Sequence, residues 1–193
     1  MSRTPDILLY LALSLPAAAQ ETSKAEFFVG YSLARIDIST NFPSTRPDVA
    51  NAHGFATAFT WYFTRWAGAT FDFGGNFASP ETTFVHPQLG TPVTAKMANR
   101  LYTILVGPVF RYGIERGAVF LRPGVGQFRL TQEVPGAGLK AVDNDFAFAI
   151  GGGLDVKIHP HVGLRVAPDY IRSYLTPGAG QNNWRFAFGA VFH

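Results

Sequence analysis

Six charged residues have types and spacing that could act together: Asp72, Arg122, Asp155, Arg165, Asp169 and Arg185. Three carboxylates and three guanidiniums can neutralise one another as a buried ion network, or, left unpaired, pass protons or hold a charged ligand. Asp169 and Arg185 come face to face if the chain doubles back near residue 177. The histidines are His53, His86, His159, His161 and His193. His159 and His161 share one side of a tight turn, a spacing used by two-ligand metal sites, but no third ligand follows at a readable distance. Glycine runs at 124–126 and 151–153 could suggest phosphate cradles, yet such cradles need a strand leading into a helix, and no helical period follows either run. With no cysteine, thiolate nucleophiles, disulfides and thiolate metal sites are excluded. The expectation is no catalytic residue, no cofactor and no metal, with the six charges filling an interior as ion pairs.

The elements that must position those charges are strands. Eighteen Phe and 20 Gly against two Met suit close-packed or lipid-bathed sheet, and the net charge of +3 comes without a run of like charges, so no nucleic-acid partner is expected. Residues 1–19 have the form of a secretory signal: Arg3, an apolar stretch from Ile7 to Leu15, Pro16, then Ala17-Ala18-Ala19. Nine apolar residues are too few to span a bilayer as a helix, which takes roughly 20. The domain expected to follow is residues 20–193.

Eight segments of that domain alternate with period two. The last, "NNWRFAFGAVF", sets Trp184, Phe186, Phe188 and Phe192 against Arg185, Ala187 and Gly189. Phe59 and Trp61, Phe71 and Phe73, and Phe146 and Phe148 repeat the contrast elsewhere, opposite Ala58 and Thr60, Asp72, and Ala147 and Ala149. An eight-stranded barrel has an interior just wide enough for side chains to fill, so a Phe-rich face cannot turn inward on every strand. Turned outward it meets hydrocarbon, and those ten aromatics are expected to face lipid. Short connections near Thr64-Arg65, at "GIERG" and at "HPH" alternate with long ones at 36–51, 78–98, 131–143 and 172–181. That is the asymmetry of barrels with tight periplasmic turns and free external loops. Pro108, Pro123 and Pro168 fall on outward positions; Pro108 and Pro123 oppose each other, which predicts a bulge, and the stretch from Pro80 to Pro92 has room for a short extra strand.

The expected fold is therefore all-β, an eight-stranded antiparallel up-and-down transmembrane β-barrel. On its last third, "FAIGGGLDVKIHPHVGLRVAPDYIRSYL" followed by "QNNWRFAFGAVFH", the chain resembles the small outer-membrane barrels of the OmpA and OmpX kind, and more narrowly the outer membrane protein beta-barrel domain of acidobacterial type. The resemblance singles out Asp155, Arg165, Asp169, Tyr170 and Asn183. Proline at 168 and a chain ending Phe192-His193, not in an aromatic, depart from the family pattern. The resemblance implies an outer-membrane location, membrane lipid and lipopolysaccharide as surroundings, the barrel-assembly machinery as a partner during insertion, a monomer, and a structural or surface-interaction role carried by four long loops with no open pore. Two rivals differ in class. A barrel enzyme acting on envelope lipid would use a His-x-Ser pair, and no histidine here is followed by Ser at that spacing. A soluble lipocalin-like periplasmic barrel would turn its Phe inward around an apolar ligand.

Overall fold

In the computed structural model, residues 24–38, 48–85, 90–135, 138–176 and 179–193 are described. The expected signal segment 1–19 lies outside them, as does His86. Ten strands follow one another: β1 (Ala25–Ile38), β2 (Asp48–Tyr62), β3 (Ala67–Ala78), β4 (Glu81–Val85), β5 (Pro92–Lys96), β6 (Ala98–Ile114), β7 (Gly117–Val134), β8 (Leu139–His159), β9 (Val162–Thr176) and β10 (Ala179–Phe192). Eight of them close an antiparallel barrel in the order β1-β10-β9-β8-β7-β6-β3-β2, with Phe27 opposite Phe192 where the ends of the ring meet. Closure leaves no bare edge in the ring, the condition under which a sheet can stand in lipid.

Accessibility alternates along the strands as the period-two sequence requires. On β10 Arg185 is 3% exposed and its neighbour Phe186 is 48% exposed, so the small and charged side chains fill the interior while the aromatics stand outside. The Phe-inward arrangement of a lipocalin-like barrel is therefore not the one this chain adopts. Of the ten aromatics expected outside, nine are exposed, and Phe73 is half-buried because the rings of Phe55 and Tyr102 pack against it.

The room for a short extra strand from Pro80 to Pro92 is used, as a sheet of its own: β4 and β5 form a two-stranded hairpin between β3 and β6, paired from Glu81–Lys96 to Val85–Pro92, and the ring keeps eight strands. Two expectations are corrected. No bulge forms where Pro108 and Pro123 meet. The β6–β7 ladder is interrupted between the pairs Val106–Val125 and Phe110–Leu121 and resumes in the same register, because two opposed prolines each lack a donor and cancel without displacing either strand. Register shifts occur instead between Lys157 and His159 and between Ala179 and Gln181. Lastly, most of 131–143 and 172–181 is sheet: β7 runs to Val134, β8 starts at Leu139, β9 runs to Thr176 and β10 starts at Ala179. β7 and β8, at 18 and 21 residues, are about twice the 9–11 needed to cross a membrane.

Candidate functional site

The interior side chains come from alternate residues of all eight strands, and they sort by height. At the short-turn end Glu26 of β1 is the hub. Arg165 Nη2 donates to its Oε2 at 2.8 Å, Arg111 donates to Oε1, the Tyr62 hydroxyl donates to Oε2 at 3.3 Å, and His193 Nδ1 lies 3.2 Å from Oε1. Arg165 also grips Asp155 in a two-pronged pair, 2.7 Å on each oxygen, which matches the fork of a guanidinium to the two oxygens of a carboxylate. Its guanidinium lies 4.5 Å from the centre of the buried Phe120 ring and 5.6 Å from that of Phe28. Some aromatics therefore do point inward, where they pack against guanidinium planes.

Higher in the barrel Asp72, Arg122, Asp169 and Arg185 form a closed quartet. Arg122 bridges Asp72 at 3.0 Å and Asp169 at 2.9 Å; Arg185 bridges Asp169 at 2.8 Å and approaches Asp72 Oδ1 at 2.8 Å as an ion pair off the line of an aligned hydrogen bond. Asp169 and Arg185 stand opposite one another in the β9–β10 register. Two positive and two negative groups, all nearly inaccessible, leave the quartet neutral, and Glu26 and Asp155 against Arg111 and Arg165 do the same below it. Burying charges without such pairing costs several kcal/mol each, so the pairing sets which charges this lumen can hold. Glycine makes the room: a β-carbon at Gly151 would run into Asp169 Oδ1, and one at Gly74 would sit 2.7 Å from Arg185 Nη1.

Above the quartet the interior changes character. Asn76 joins Ser32 and the Ala52 carbonyl, and Gln132 donates to Asn99. Around them an apolar core gathers Ala34, Ile36, Met97, Leu101, Phe128, Leu130, Val134 and Ile171, all buried.

The outer wall has its own levels. Trp61, Phe63, Trp66 and Tyr112 ring the short-turn end, with Trp66 stacked on Phe110. Towards the other end a second ring holds Tyr31, Tyr102, Tyr170 and Trp184; the Tyr31 hydroxyl meets His53, and the Tyr170 hydroxyl donates to Asn182 at 2.5 Å. On β6 the two rings are marked by Tyr112 and Tyr102. Ten residues at about 3.3 Å each, tilted by about 40°, rise about 25 Å, the height of the apolar band of a membrane barrel. Aromatic residues with a polar tip belong at its two borders. Beyond the second ring the outward positions turn polar: Arg35, Asn51, Arg100, Arg129, Thr131, Lys140, Asn144, Arg172 and Asn182.

The six charges singled out from sequence thus divide into the quartet and the Asp155–Arg165 pair. Sequence reasoning missed Glu26, Arg111 and His193 as members of the lower group. Glu26 and Arg111 share the parity of the small inward face, which was a usable signal; His193 reaches Glu26 only because β10 closes onto β1. Asn183 is buried and Tyr170 is half-buried at the second ring. His159 and His161 have ring centres 6.0 Å apart at the short-turn end, and no group of three metal-binding side chains exists among the described residues.

The family model described as "Outer membrane protein beta-barrel domain" matches residues 7–192, and the chain belongs to that family. Among curated protein sequences none matches. Solved structures with a similar fold include Ail, the attachment invasion locus protein of Yersinia pestis, at 19% identity and TM-score 0.57, covering 87% of this chain and 96% of Ail. Neisserial surface protein A is similar at 11% identity and TM-score 0.63, with 88% and 97% covered. OprG from Pseudomonas aeruginosa is similar at 12% identity and TM-score 0.52, with 87% and 95% covered.

Proposed function

We propose, on the premise of membership in this outer-membrane barrel family, that the chain is a monomeric, non-catalytic outer-membrane protein with a structural or surface-interaction role. It would be exported by the signal at 1–19, inserted by the barrel-assembly machinery, and surrounded by membrane lipid and lipopolysaccharide. Interaction would be the task of the end that carries β4–β5 and the emergent parts of β7 and β8.

The observation that carries this reading is the state of the interior. The arginines and carboxylates of both charged groups are engaged with one another, and an apolar core lies above them, which favours a filled lumen over a conducting one. An ion path needs charges free to exchange partners with a passing ion. Catalysis likewise needs a reactive group with an open side, and these groups are spent on each other.

Fractionation of the expressed protein, gel mobility with and without boiling, and conductance in a planar bilayer test the proposal together. The expected result is an outer-membrane fraction, a heat-dependent shift, and no unitary conductance. A soluble periplasmic protein without a shift would overturn the membrane role, and steady ohmic steps would overturn the filled lumen.

A further inference from the structure

Just beyond the second aromatic ring, the outside of β6, β7 and β8 carries a groove of about 450 Å³. Arg100, Arg129 and Lys140 stand around it, and Tyr102, Ile104 and Phe73 line the part that runs down towards the apolar band. The register explains the cluster: Arg129 lies opposite Tyr102 across β6–β7, Arg100 lies two pairs further up opposite Thr131, and Lys140 is brought alongside by β8 opposite Glu133. All three cations are exposed, and none forms an ion pair with a described residue. Elsewhere on this level Arg172 is laid over the Tyr174 ring and Arg35 stands singly on β1 opposite Trp184 and Asn51, whereas three cations come together at the groove.

We infer that this groove is a binding site for a phosphorylated, acylated lipid of the surrounding leaflet. The phosphate groups would be held by Arg100, Arg129 and Lys140, and an acyl chain would lie over Tyr102, Ile104 and Phe73. Charge complementarity selects an anion, and guanidiniums suit phosphate because their donors lie in a planar fork. Height selects a lipid headgroup over a soluble anion: the cations begin where the aromatic border ends, at headgroup level, and the floor continues into the band that faces hydrocarbon. A soluble anion would have no use for that apolar floor. The site rests on the membrane placement proposed above and names the lipid contact within it.

The full chain, refolded in detergent, is titrated by native mass spectrometry with bisphosphorylated lipid A, with its dephosphorylated form, and with inorganic phosphate as competitor. The variants are a triple Arg100→Gln, Arg129→Gln, Lys140→Gln chain and a Lys157→Gln control from the opposite end. Near a charged surface each cation is worth about a factor of five, so the triple variant is expected to bind the phosphorylated lipid about a hundred-fold more weakly, with Lys157→Gln unchanged. The dephosphorylated lipid is expected to bind wild type as weakly as the phosphorylated lipid binds the triple variant. The heat-dependent gel shift is expected in every variant. Equal binding by wild type and triple variant, equal binding of both lipids, or displacement by inorganic phosphate at matching concentrations would each overturn the site while leaving the barrel intact. Loss of the gel shift in wild type itself would overturn the membrane placement, a separate failure.

Discussion

Within β7, Arg122 points inward between the outward Leu121 and Pro123, whereas a few residues further on Phe128 and Leu130 point inward and Arg129 and Thr131 outward. One strand thus carries two opposite patterns. Where hydrocarbon surrounds the wall, apolar side chains belong outside and the narrow lumen is left to neutral ion groups. Where the wall stands clear of the membrane, water surrounds it and the ordinary rule of soluble proteins returns, with an apolar interior and polar outside. The reversal falls at the second ring, where Leu101 is buried beside Tyr102 and Ile171 beside Tyr170. The difference teaches that the border of the membrane is written into the chain as a change of phase and can be read without any lipid present.

The largest test of the contrast strikes the charged half. Arg185→Met leaves Asp72 and Asp169 sharing Arg122 alone; removing one partner of a buried ion group is expected to cost about 3–5 kcal/mol in urea unfolding from lipid vesicles. A loss below about 1 kcal/mol would mean that water reaches the quartet and screens it. The matching test in the apolar half is Leu130→Ala, which should cost about 2–5 kcal/mol through the cavity it leaves. The same unfolding experiment reads it, and no loss would show that the upper interior is wet.

Placing one arginine at two heights sharpens the border itself. Phe188→Arg, midway between Trp184 and Phe192 on the lipid side, should cost about 2–4 kcal/mol. Asn144→Arg, outward on the emergent part of β8, should cost no more than about 1 kcal/mol, with the like charge of Arg129 opposite it included. Equal costs would put the membrane border in the wrong place. At the border itself, Tyr170→Phe deletes the hydroxyl that donates to Asn182, a loss of about 0.5–1.5 kcal/mol in the same assay.

Much of the barrel was legible because its membrane half obeys one rule on every strand. Trp184, Phe186 and Phe188 alternate with Arg185 and Ala187 so plainly that parity alone separates lumen from lipid. The emergent sheet was read as loop for the same reason: at Arg129, Thr131, Lys140 and Asn144 the outward residues are polar, and a search for greasy outward faces stops there. Period two persists through that region with its sign reversed. The partners of Glu26 were harder still, since they come from β6, β9 and the chain end, distances that no local pattern encodes.

The seam between β1 and β10 sets the order of events by which the molecule is made. Phe27 finds Phe192, and Glu26 finds His193, only after the last strand has been delivered. Until then every intermediate presents two bare strand edges, whose unpaired amides and carbonyls cannot be left in hydrocarbon. Contacts that join the two ends of a chain are the slowest to form. Ring closure is therefore the committing step of assembly, and a chain cut short before β10 should stall with its edges open and be captured by proteases or by other strands.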